Sequence, residues 1–271
     1  MAGDDRSAEA LVRVAVSVPP QAWLVSAVGG ERVKTSVLVP PGSAPETFEP
    51  APRQMAVLMR SDVVVAVGHP AFPFEDRFLR SLEEGAGAED VRVVRMVGGS
   101  GAPARSRSAQ ESGDPHVWLS PPVMAGTARR LAAALAQVDP SHDSEYEARL
   151  GATLAEIERV EAQTRRLLDD VEERRFLVVH PAWGSFASHF GLEQVAIEEE
   201  GKEPSPARLA ALIREAREEG VDTLFVQRGF SRRSAEVLAA EVGATLVELD
   251  PLGRDWPRTM LETARALAAA E

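Results

Sequence analysis

Short Val-rich apolar runs alternate with longer stretches of three-to-four hydrophobic spacing along the whole chain. That alternation restricts it to largely parallel sheets flanked by helices. In the first half the runs predict strands at 11–18, 33–39, 62–67 and 91–97, with helices at 20–29, 51–60 and 73–84. In the second half strands are predicted at 176–180, 193–197, 222–227 and 244–248, with helices at 182–190, 205–219, 231–242 and 256–270. No fixed-period repeat relates the halves, so their likeness is topological.

Between the halves, Pro121 and Pro122 open a helix running to about Gln137, and Asp139-Pro140-Ser141 punctuates before a second helical stretch at 142–174. Leu150, Leu154, Ile157, Val160, Leu167 and Leu168 line one face of it. A helix of about 30 residues would be ~45 Å long, a stiff spine between two lobes. Its loose heptad argues against a coiled-coil arm. The expected fold is α/β, with two lobes, each a mostly parallel four-stranded sheet flanked by helices, joined by a long rigid backbone helix. The expected limits are an N-terminal lobe at 1–139, the linking helix at 140–174 and a C-terminal lobe at 175–271. The segment GGSGAPARSRSAQESG at 98–113 has no periodicity and is expected to form a mobile loop.

With 271 residues, 44% of them hydrophobic, the chain can bury a core of this size. A net charge of −12 argues against nucleic acid, which requires clustered Lys and Arg. Cysteine is absent, which excludes disulfides, thiolate metal sites and a cysteine nucleophile. No apolar run approaches the roughly 20 residues of a membrane span. The start, MAGDDRSAEALVRVAVSV, carries no charged-then-apolar export signal, which fits a cytoplasmic chain or one whose signal has been removed.

Ligands of open parallel sheets bind beyond the carboxyl ends of the strands. His180 ends the strand FLVVH, Asp250 follows LVEL, Glu46 lies in the loop after VKTSVLV, and His116 lies in the loop after VRVVRMV. Each half contributes two of the four. Two neutral imidazoles and two carboxylates carry a charge of −2, which one divalent ion neutralises, and such sets suit zinc, manganese or ferrous iron. His142 reads as a capping or surface residue and His189 as pointing to surface or core. Glu198, Glu199 and Glu200 read as a solvated charge run.

At these residues the sequence resembles the metal-binding family of ABC importer binding proteins, the zinc and manganese receptors of the bacterial envelope. The resemblance rests on GSAPETFEP at 42–50, DPHVWLSP at 114–121, HPAWGSFASHFGL at 180–192 and LDPLGRDW at 249–256. It implies two (β/α) lobes on a rigid helix, a function in delivery and no catalysis. It also implies a metal site of Glu46, His116, His180 and Asp250, with zinc the first candidate and manganese or iron next. The implied partners are an ABC permease and its ATPase, with the protein a monomer at the periplasm or cell surface. Its export signal would be removed, and the membrane reached through the permease or an N-terminal anchor absent from this chain.

Glu46 departs from the pattern, because the family has a His there. His69 in VGHPAF, after the third strand, is the alternative source of the missing imidazole. The segment at 98–113 also lacks the His-rich insertion of some zinc receptors. Rival readings are a metal-dependent hydrolase, for which HExxH and G-x-S-x-G motifs are missing, and a metal-independent adhesin on the same fold. Trp118 and Trp183, close in sequence to His116 and His180, read as a dry packing around the site or as ordinary core aromatics.

Overall fold

Valines at both faces of the strands demand burial on both sides, and the chain meets this with two parallel sheets, each covered by helices. The computed structural model describes residues 11–84, 91–98, 113–198, 205–218, 220–228 and 232–270. Residues 99–112, most of the expected loop, and Glu199 and Glu200 of the expected charge run lie outside the described residues.

The first sheet contains β1 (Val12–Val16), β2 (Val33–Val37), β3 (Val63–Ala66) and β4 (Arg92–Arg95) in the order β2-β1-β3-β4. The second contains β5 (Arg175–Val178), β6 (Glu193–Ala196), β7 (Thr223–Gln227) and β8 (Thr245–Leu249) in the matching order β6-β5-β7-β8. All described pairings are parallel. The matching strand order is the topological likeness that the sequence shows only as alternation. In this order the chain leaves the central strand to one side and then crosses to the other. A crevice therefore opens at the carboxyl ends between β1 and β3, and again between β5 and β7.

The first lobe carries α1 (Pro19–Gly29), α2 (Pro52–Leu58) and α3 (Pro73–Glu84), followed by α4 (Pro121–Val138). Proline opens all four, where its missing N–H costs no intrahelical bond. The spine is α5 (Asp143–Leu168), shorter than the 142–174 of the sequence pattern. At 26 residues it is about 39 Å long. Its buried residues Tyr146, Thr153, Ile157, Val160, Thr164 and Leu168 recur at helical spacing. The second lobe adds α6 (Gly184–Phe190), α7 (Pro206–Glu218), α8 (Arg233–Val242) and α9 (Trp256–Ala268). Among the described residues, no helix is long and apolar enough to cross a membrane.

The lobes share a core. Helix α9 returns from the second lobe to pack on α5, and Trp256 reaches Trp23 of α1 with ring centroids 5.2 Å apart. Trp256, Met260, Ala264 and Leu267 thereby join one apolar cluster with Leu24, Val28, Leu131 and Ile157. A smaller cluster around Leu212, Leu224 and Leu238 covers the far face of the second sheet.

Two indoles tie the lobes on the ligand-bearing edge. Trp118 donates Nε1–H to the Pro251 carbonyl at 2.8 Å, and Trp256 donates Nε1–H to the Trp118 carbonyl at 2.7 Å. Both rings are fully buried, so each N–H has replaced water with a carbonyl of the facing segment. Trp256→Phe keeps most of the apolar volume but leaves the Trp118 carbonyl without this donor. It is expected to destabilise the metal-free protein by about 1–3 kcal/mol in urea unfolding. An unchanged midpoint would show that the bridge contributes nothing.

Candidate metal centre

Glu46, His116 and His180 each offer a ligand atom, and the three atoms lie within 4.8 Å of one another. Sequence order keeps them far apart, and the two sheets bring them together.

Glu46 sits in a 3₁₀ turn, Pro45–Thr47, after β2. Two residues on, Phe48 packs edge-on against Phe74 at 5.5 Å. Phe74 meets Phe72 at 6.4 Å and Phe72 meets Trp118 at 6.2 Å, so a row of aromatic rings leads from the Glu46 loop to the His116 loop. The segment carrying Phe72 is held by the buried Glu75 carboxylate, which accepts the N–H groups of Val67 and Gly68 at 2.8 and 2.7 Å. Gly68 has φ +79°, and a Cβ there would collide with the Val97 carbonyl, so this tight turn requires glycine.

His116 follows Asp114-Pro115, and Asp114 governs it. One carboxylate oxygen, Oδ1, accepts the His116 backbone N–H at 2.9 Å and faces its Nδ1 at 2.8 Å. The other, Oδ2, accepts the Ser185 N–H at 2.5 Å, at the N-terminal end of α6 in the second lobe. Bonding at Nδ1 directs Nε2 toward Glu46, whose Oε1 is 3.1 Å away. The close approach of Asp114 leaves no room at Gly184, where a Cβ would stand 2.8 Å from Asp114 Oδ2.

His180 emerges after β5, and its Nε2 is 3.7 Å from the same Glu46 oxygen. Its Nδ1 is 3.0 Å from Glu198 Oε2. The pairing of β5 with β6 continues beyond the strands, with Glu198 N bonding the Val179 carbonyl, and this sets Glu198 beside His180. The sequence reading of Glu198 as part of a solvated charge run is therefore corrected. Its side chain is only 10% exposed and serves as the outer partner of an imidazole. The two imidazole rings meet edge-on at 5.5 Å, and Trp118 covers His116 at 5.2 Å. Trp118 and Trp183 are both fully buried.

The charges are strongly coupled. Burial disfavours the imidazolium of His116, but the hydrogen bond to Asp114 and the nearby Glu46 carboxylate outweigh it and raise its pKa to about 9. Burial likewise opposes the charged forms of Glu46 and His180. The two imidazoles beside it nevertheless hold Glu46 well below the usual carboxylate range, and Glu198 with Glu46 raises His180. The cluster thus favours protons on its imidazoles around a carboxylate, and a metal ion bound through Nε2 would have to replace any proton held there.

Asp250 is not within 4.8 Å of all three ligand atoms. It lies at the end of β8, on the same edge, where Oδ1 accepts the Leu252 N–H at 3.0 Å and Oδ2 is 3.8 Å from Arg228 Nη1. His69 is buried beside the cluster but outside it. Its Nδ1 accepts the Ala71 N–H at 3.1 Å, which places the ring proton on Nε2, and burial lowers its pKa. His142 precedes α5 and pairs with Asp139, while His189 pairs with Glu161 of the spine at 2.8 Å. Sequence reasoning missed Asp114 and Glu198 as partners of the ligands. The Asp-x-His spacing was a usable signal for the first, since an Asp side chain readily bonds the N–H two residues on.

Two parallel sheets on a helical spine, with a His and carboxylate cluster where their edges meet, are the features of a two-lobed metal-binding solute-binding protein. Residues 14–270 match the family described as "Zinc-uptake complex component A periplasmic", and the chain belongs to that family. The high-affinity zinc uptake system protein ZnuA of Bacillus subtilis (strain 168) is 27% identical over 229 residues, covering 80% of this chain and 70% of its own. A crystal structure of ZnuA superposes with a TM-score of 0.85 at 37% identity, covering 97% of this chain and 99% of that one. A zinc-bound ZnuA deletion mutant gives 0.83 at 36%, covering 97% and 98%. The family consists of metal-uptake binding proteins and not of enzymes, which sets the hydrolase reading aside.

The raised pKa of His116 has a testable sign. Its charge stabilises the metal-free fold fully below pH 6.5, the ordinary imidazole value, and that contribution is lost as pH rises through about 9. The melting temperature of metal-stripped protein is expected to fall across that window, and His116→Gln to flatten the slope. A wild-type melting temperature independent of pH there would contradict the charged pair.

Proposed function

We propose that the protein is the extracytoplasmic receptor of an ABC importer, capturing one divalent transition metal between its lobes and delivering it to a membrane permease served by an ATPase. The cluster of Glu46, His116 and His180, each carried on the carboxyl edge of a sheet, is the observation that supports this most. Asp250 is the fourth ligand in this reading. The Trp118 indole bonds the carbonyl of Pro251, the residue after Asp250, and so ties the Asp250 loop to the His116 loop.

Zinc is the leading cargo. Two imidazoles and two carboxylates suit its tetrahedral site, and zinc-uptake relatives share the fold at 27–37% identity. Manganese and ferrous iron follow, because Glu46 in place of an imidazole makes the site harder. Asp114 and Glu198 fix the two rings through Nδ1 and leave Nε2 for the ion, the arrangement that outer partners of metal-bound His usually provide. Metal analysis of protein purified without chelator, followed by zinc and manganese competition, tests the proposal directly. A metal-free protein whose melting temperature ignores every divalent ion would overturn it.

The choice between Glu46 and His69 is separable. Ligation by His69 through Nε2 would require its Nδ1 to give up the Ala71 N–H. Glu46→Ala is therefore expected to weaken zinc binding by more than about 100-fold, beyond what loss of an outer partner usually costs. His69→Ala is expected to change it by less than about tenfold. The reverse order would transfer the ligand role to His69.

A further inference from the structure

Arg228 stands at the end of β7, where register makes it the neighbour of Asp250. Gln227 pairs with Leu249 in the β7–β8 ladder, and the next N–H, that of Arg228, still bonds the Leu249 carbonyl at 3.2 Å. Side chains two apart on a strand share a face, so Glu248 and Asp250 project to the side on which Arg228 lies. The guanidinium uses both. Its Nε donates to Glu248 Oε1 at 2.8 Å, and its Nη1 lies 3.8 Å from Asp250 Oδ2. The first is a hydrogen bond; the second is an ion pair too long to be one. Arg232 stands on the far side of Glu248, its Nη1 3.6 Å from Oε2, and Glu262 adds a further negative charge to the field at Arg228.

This arrangement leaves Asp250 loosely held. Its Oδ1 is fixed by the Leu252 N–H, while among the described residues Oδ2 is balanced only by an arginine anchored elsewhere. Arg228 is 65% exposed, so releasing Asp250 removes no buried contact from the guanidinium, which keeps its bond to Glu248. A divalent ion taking Oδ2 must displace the arginine from it and then endure the nearby positive charge.

We propose that Arg228 sets the affinity of the metal centre by holding the Asp250 carboxylate in the cargo-free protein, so that metal and guanidinium compete for one oxygen. The inference rests on the reading of Asp250 as a ligand. Its consequence is a receptor that binds more weakly than its ligand set allows and therefore gives up its ion more readily.

The test is competition of Zn²⁺ against a chromophoric chelator, using metal-stripped full-length chain at low and high ionic strength. Exposed unit-charge pairs contribute little and a divalent ion doubles the interaction, so Arg228→Gln is expected to tighten zinc binding by roughly three- to tenfold at low salt. The gain should shrink at high salt. Arg228→Lys retains the charge and is expected to stay near wild type. Because the effect is one of charge, Mn²⁺ should gain the same factor as Zn²⁺. In an Asp250→Asn background the gain from Arg228→Gln should shrink, because only the repulsion between guanidinium and ion remains.

Unchanged or weakened zinc binding in Arg228→Gln would overturn the inference, as would a gain that is undiminished without Asp250 or that favours one metal. If Asp250→Asn alone leaves zinc affinity intact, Asp250 is no ligand, and the inference falls with that part of the functional reading. If Asp250→Asn weakens binding while Arg228→Gln does nothing, only the inference falls.

Discussion

One buried carboxylate holds the site and the two lobes in register. Asp114 directs His116 through Nδ1, shapes the turn before it through the His116 N–H, and caps the start of α6 in the opposite lobe through the Ser185 N–H. An ionised group at this depth is tolerable only when its lone pairs are satisfied, and here three donors supply them. The bonds also fix geometry, because α6 begins four residues after His180. A displacement of either lobe would stretch a charge-assisted bond in a dry environment, where such bonds are strongest.

The rest of the structure reinforces that joint. The crossed indole bonds of Trp118 and Trp256 close the same edge, the row of aromatic rings carries the Glu46 loop to it, and α9 packs back on the spine. Against this stiff frame the electrostatics are unsettled. Glu46 lies between two imidazoles whose pKa it helps to raise, and their Nε2 atoms face it where a cation would bind. In the absence of metal the carboxylate stands within ion-pair distance of both imidazoles, so any proton they hold must leave when a metal binds.

Much of this was legible in the residues. Valine alternation specified parallel sheets, proline positions marked helix starts, and the strand-end rule selected the loops that hold Glu46, His116, His180 and Asp250. Glu198 was misread because its sequence neighbours are charged and polar, and only the β5–β6 register reveals that it faces His180. The spine was drawn too long because Val171 keeps an apolar spacing and is buried, although the helix has ended at Leu168. Periodicity records which side chains are buried and says nothing about whether the backbone between them is still helical.

The sequence by itself determined the class of fold, the order of its elements and the chemical types available to bind a cation, because these follow from local spacing and from strand ends. Only the tertiary structure decided which of those groups meet. It gathered Glu46, His116 and His180, paired Asp250 with Arg228, turned His69 toward its own backbone and gave Asp114 to both lobes. Such decisions depend on strand register and on the angle between two sheets, and those are set by packing across the whole core.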